Sequence, residues 1–295
     1  MTALDAALLT NLTVIAFVAS SMLAMGLRLT VAAILDPLRD RGLVARALVA
    51  NFVLVPASAF AIVAVAPVST AQSVGVVLLA TAAGAPFLPK LVEAADGDVP
   101  FGVGLMVLLM VLTVAYVPIV LPILLPGVSV NPLDIAGSLV VLMLLPLAAG
   151  LAVTARYPEV AGSLQPTVNQ ASNTSLILLV VLVVAVNART LLEVVGTGVL
   201  VALAALVVAS FAIGWGLGGP TRDRRTVLGL GTAQRNVSAA LVVGAQNFAD
   251  PDVLSVVVAG SMLMLVVLLP LGGELGRRSG VPAADAGDAE APTDG

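Results

Sequence analysis

Apolar positions run along this chain in long stretches, interrupted by short clusters of Arg, Asp, Pro and Gly. A helix that crosses a bilayer needs about 20 predominantly apolar residues. Nine stretches meet that length: residues 7–28, 43–66, 71–95, 99–126, 132–155, 164–187, 191–218, 224–249 and 252–273. The final stretch, 279–295, is rich in Ala, Asp, Gly and Pro without periodicity and reads as a disordered tail. The pattern predicts one all-α transmembrane domain over 1–278.

Composition agrees. Of 295 residues, 60% are hydrophobic and only 10% charged, with a mean hydropathy of +1.13. Soluble proteins carry about 25% charged residues, so this is an integral membrane chain. With no Cys and no His, disulfides, thiolate nucleophiles and His-based metal sites are excluded. The commonest general base is missing too. No intramembrane carboxylate pair replaces it, so an enzyme is not expected, nor is a cofactor or a nucleic-acid partner. Met1–Leu8 carries Asp5 and no basic residue, unlike the start of a cleavable signal peptide.

The basic residues set the expected orientation. With the N-terminus outside, the inner loops collect Arg28, Arg39, Arg41, Arg46, Arg156, Arg222, Arg224, Arg225, Arg277 and Arg278, and the outer loops only Arg189. That asymmetry follows the positive-inside rule and places the C-terminal tail in the cytoplasm. Two basic residues remain, Lys90 and Arg235, and both fall inside predicted spans. A charge at mid-membrane costs roughly 2.5–3.5 kcal/mol even on the mildest scale, which marks both as functional candidates. Lys90 has two simpler readings: snorkelling to the inner interface or pairing with Glu93. No acidic residue lies between Asp223 and Asp250, so Arg235 is the sharper signal.

Both cations adjoin helix-breaking sequence. Around Lys90 the chain reads Gly84-Ala85-Pro86-Phe87-Leu88-Pro89-Lys90, and around Arg235 it reads Gly229-Leu230-Gly231-Thr232-Ala233-Gln234-Arg235-Asn236. Unwound backbone in a bilayer is tolerated only where protein buries it or it lines an aqueous cavity. The two broken spans, about 71–95 and 224–249, run in opposite directions in the expected orientation. Ala95-Asp96-Gly97-Asp98-Val99-Pro100 follows the first and Ala249-Asp250-Pro251-Asp252-Val253 the second. The pattern predicts inverted repeats with a binding site at the midplane.

These residues resemble the bile acid:sodium symporter family over nearly all of 10–278. The likeness rests on Gly26-Leu27-Arg28-Leu29-Thr30, on Ala50-Asn51-Phe52-Val53-Leu54-Val55-Pro56 and on Gly97-Asp98-Val99. It also rests on Arg224-Arg225-Thr226 leading to Gln234-Arg235-Asn236-Val237-Ser238-Ala239-Ala240-Leu241. The resemblance implies a core domain with two crossed, unwound helices, a panel domain beside it, and alternating access by their relative movement. It also implies sodium sites, and here the chain departs from the family. Leu88-Pro89 stand where Ser-Asn is expected, Gly102 and Met106 where hydroxyls are expected, Gly231 at a Glu position and Arg235 where a sodium-liganding Gln often stands. Hard cations want oxygen ligands, so bound sodium is doubtful.

The expectation is a secondary transporter of a small organic anion, with Lys90 and Arg235 in place of the bound sodium ions. Transport is then sodium-independent, or proton-coupled where Lys90 loses its proton on the empty return. Lys90, Pro89, Asn51, Thr232, Gln234, Arg235 and Asn236 form the expected substrate-binding set. Asn169, Gln170, Asn173, Thr174 and Ser175 on the sixth span are read as bonds between neighbouring helices. The alternative is a membrane ligand-binding or sensor protein of the same fold without transport. Sparse Lys with abundant Ala, Val and Arg fits a GC-rich bacterial genome, and hence a bacterial inner membrane.

Overall fold

In a computed structural model, which describes residues 3–124, 131–186 and 198–279, the chain is helical without strands among the described residues. In chain order the helices are α1 (Ala3–Gly26), α2 (Val31–Leu35), α3 (Arg41–Val65), α4 (Thr70–Thr81), α5 (Leu88–Ala94) and α6 (Val99–Leu124). There follow α7 (Pro132–Arg156), α8 (Pro158–Val186), α9 (Val199–Leu217), α10 (Arg222–Ala233), α11 (Val237–Asn247) and α12 (Pro251–Ser279). Each apolar stretch becomes one helix or, at the two breaks, a pair of half-helices. Five of them, α3, α6, α7, α9 and α12, are long and apolar enough to cross a membrane. The start of the seventh stretch, Arg189 and the tail lie outside the described residues.

The surface is apolar where a soluble protein's would be polar. Val65, Leu133, Val201, Val266 and Ile123 are among the most exposed side chains, while Asn51, Thr81, Thr113, Thr232, Arg235 and Asn236 are buried. Lipid removes the reason to hide hydrocarbon. Polar groups must instead find partners inside.

Packing divides the helices. α1 lies along α7 and α8, and contact with α7 is close because Gly26 and Gly150 face each other's backbones. A Cβ on Gly150 would come within 2.6 Å of the Leu23 carbonyl oxygen. Thr154 Oγ1 then reaches the Gly26 carbonyl at 3.0 Å. Small residues permit such approaches between membrane helices. In the remaining group a long helix, a broken helix and a long helix occur twice: α3, α4/α5, α6 and α9, α10/α11, α12. The packing across the two sets is reciprocal, with α12 on α4 and α5, and α6 on α10.

Two wide π turns interrupt long helices, at Ala50–Leu54 in α3 and Val140–Leu144 in α7. Each is followed two residues later by a proline, Pro56 and Pro146, which has no N–H to give to the preceding turn. In α3 the Phe52 carbonyl accepts from Tyr116 Oη on α6 at 2.6 Å instead.

Candidate functional site

The first break begins where α4 stops at Thr81. Gly84 has φ +80°, and a Cβ there would collide with the Met110 backbone nitrogen, so the turn needs glycine. Thr113 on α6 satisfies the unwound chain in both directions. Its Oγ1 accepts from the Ala83 N–H at 3.0 Å and donates to the Ala83 carbonyl at 3.1 Å. Pro89 then sits in the first turn of α5, where a missing N–H costs nothing.

The second break is the polar triplet Gln234-Arg235-Asn236, between α10 and α11. Gly229 and Gly231, expected to unwind the chain, remain helical within α10 and serve packing. Phe211 lies on Gly229, and Leu88 lies on Gly231, where an added Cβ would stand 3.1 Å from a Leu88 methyl. Helix ends here because polar side chains take over the backbone's bonds. Asn236 caps α11 by accepting from the Ala239 N–H at 3.0 Å. Its own N–H donates to the Ala82 carbonyl at 2.8 Å, which ties one break to the other.

Arg235 completes the join. Its side chain is sealed from solvent at 1% exposure. Nε donates to the Leu79 carbonyl at 3.1 Å and Nη2 to the Ala80 carbonyl at 2.6 Å. Nη1 donates to Asn51 Oδ1 at 2.7 Å and to the Thr232 carbonyl at 3.0 Å. Four of the five guanidinium donors are thus committed to oxygens. Among the described residues no ion pair involves Arg235. Its countercharge comes from the C-terminal ends of α4 and α10, whose last carbonyls carry the negative end of the helix dipole. Asn51 is fully buried and doubly anchored, with Nδ2 donating to the Ala47 carbonyl at 3.0 Å and to Thr232 Oγ1 at 3.3 Å. Gln234 Oε1 and Asn236 Nδ2 are buried without a hydrogen-bond partner among the described residues.

Lys90 lies elsewhere. Together with Pro86, Pro89 and Glu93 it lines a cavity of about 540 Å³ between the break and α1, α2, α6 and α8. Ser21, Arg28, Asp36, Gln165 and Asn169 supply its other polar groups, and Met25, Leu29, Val103 and Met106 are among its apolar ones. No ion pair joins Lys90 to Glu93 among the described residues. On a helix the order Lys then Glu is the weaker one, and both side chains are exposed.

Asn51, Thr232 and Arg235 are therefore brought into one cluster, with Gln234 and Asn236 flanking it. Lys90 and Pro89 belong to the cavity, whose lining does not include Arg235. The two cations expected at one crossing stand in different surroundings, because the guanidinium is consumed by helix-end carbonyls. Sequence reasoning missed Thr113 and Tyr116, although they are the two hydroxyl residues of the otherwise apolar α6. It also left Arg28, Glu93 and Gln165 out of the site, and it gave Asn169 a helix-bonding role although it lines the cavity.

An all-α chain with broken helices, an apolar exterior and a polar, hydrogen-bonded cluster inside an apolar core is an integral membrane protein. The model of the sodium bile acid symporter family matches residues 15–194, more than half of the chain, and this protein belongs to that family as a symporter-like transporter. None of the curated proteins compared with it matches. The match spans the first break and the cavity residues from Ser21 to Asn169, and it ends before Arg235.

Proposed function

We propose that this protein is a secondary transporter of a small organic anion that needs no bound sodium. In this reading nine spans form inverted repeats, α3 to α6 and α9 to α12. A panel of α1, α7 and α8 moves against the core they make, and the cavity opens to the cytoplasm. The packing of α12 on α4 and α5, matched by that of α6 on α10, supports the repeat. Ten basic residues on one side support the orientation.

One observation carries the reading. Asn51 Oδ1 and the carbonyls of Leu79, Ala80 and Thr232 form a cluster of oxygens such as a hard cation takes, and the Arg235 guanidinium already occupies it. Leu88 fills the space beside Gly231, so these residues do not fit a sodium ion. Arg235 is then a fixed structural cation, while Lys90 and Arg28 meet the anion in the cavity.

The test is uptake of organic anions by purified protein in liposomes, with sodium replaced by choline. Transport should be unchanged. A rate that falls with sodium removal overturns the tethered-cation reading. Saturable binding without flux would instead identify a sensor of the same fold.

A further inference from the structure

Lys90 and Glu93 lie three residues apart on α5, on one face, and both line the cavity without pairing with each other. The other charged lining groups are Arg28 and Asp36. Asp36 is engaged by Arg39 at 3.0 Å, which leaves Glu93 as the lining acid with no cation of its own among the described residues. A simple anion drawn to Lys90 would also meet the Glu93 carboxylate one helical turn away, and like charges at that spacing repel. A ligand that presents a carboxylate to Lys90 and an ammonium to Glu93 gains from both. Around them Met25, Met106, Pro86, Pro89 and Pro100 make a soft apolar wall, and methionine sulfur packs well on aromatic rings.

Resting on the transporter reading, and replacing its plain anion with a carboxylate that carries its own ammonium, we propose that the cavity takes an amphipathic zwitterion of amino-acid type. Its carboxylate sits toward Lys90 and Arg28, its ammonium on Glu93, and its apolar side chain against the Met and Pro wall. The volume, about 540 Å³, lies within the usual range for small-molecule sites. The amides of Gln165 and Asn169 on α8 supply neutral hydrogen bonds from the facing helix.

Three matched probes separate the possibilities: phenylalanine as zwitterion, 3-phenylpropionate as plain anion and 2-phenylethylamine as plain cation. Thermal stabilisation of the full-length protein rises as RT ln(1 + [L]/Kd), so the concentration dependence of each shift gives an affinity. Phenylalanine should bind at least tenfold tighter than either single-charge probe. Glu93→Gln should erase that preference by weakening phenylalanine and strengthening 3-phenylpropionate, whereas Lys90→Gln should shift preference toward 2-phenylethylamine. If 3-phenylpropionate binds best and Glu93→Gln leaves the order unchanged, the zwitterion proposal falls and the anion-transporter reading stands. If none of the three binds, and Glu93→Gln and Lys90→Gln change no uptake, the cavity is not the substrate site and both fall.

Discussion

Arg235 departs from the usual fate of a membrane cation, which pairs with a carboxylate or reaches water. Here a planar fork of donors meets carbonyls that two helix ends would otherwise leave unsatisfied. A lysine keeps the charge but not the fork. Arg235→Lys should therefore leave at least one of Asn51 Oδ1, Ala80 O and Thr232 O without its present donor, at about 1–3 kcal/mol for each such group. The expected outcome is a fall of several degrees in the thermal midpoint of the purified protein, in sodium and choline alike. An unchanged midpoint would mean the four hydrogen bonds contribute nothing. The need for a buried partner at Arg235 was legible in the sequence, because no acidic residue lies near it in the chain. Its actual partners were not, since backbone carbonyls carry no residue identity.

Among the elements, the π turn of α3 does the positioning. Pro56 frees the Phe52 carbonyl, Tyr116 takes it, and the widened turn carries Asn51 into contact with Arg235 and Thr232. Tyr116→Phe keeps the ring against Phe52, 4.7 Å away between centroids, but removes the hydroxyl. It should cost about 1–2 kcal/mol through the orphaned carbonyl, read as a lower thermal midpoint. A midpoint equal to wild type would show that the carbonyl is satisfied otherwise. The breaks show what pattern alone conveys about elements. Gly84 and Pro86 mark the first correctly, since φ +80° is open to glycine. Gly229 and Gly231 mislead at the second, because in a crowded interior a missing side chain more often admits a neighbour, here Phe211 and Leu88, than unwinds a helix.

For the molecule as a whole, the absence of native cysteine makes orientation directly measurable. Single cysteines at Asp134 and Asp250 should react with an impermeant maleimide in intact cells, and those at Arg41 and Arg277 only after permeabilisation. The reverse pattern would invert the protein in the membrane. The ion pair of Arg224 with Asp40 at 2.8 Å joins the N-terminal ends of α10 and α3. It therefore brings the basic N-terminal ends of α3 and α10 to one side, as the positive-inside reading requires.

Sequence by itself determined the helical membrane class, the apolar stretches, the broken pair and the two cations inside predicted spans, because hydrophobic length, proline chemistry and the cost of a charge in a membrane are local costs that composition and order record. Tertiary structure alone decided that Lys90 faces a cavity with Glu93 and Asn169 while Arg235 is locked among Leu79, Ala80, Asn51 and Thr232. The bonds of Arg235 to Leu79, Asn51 and Ala80 join residues more than 150 positions apart. Which side chain meets which helix end depends on how the halves pack, and no local cost encodes that.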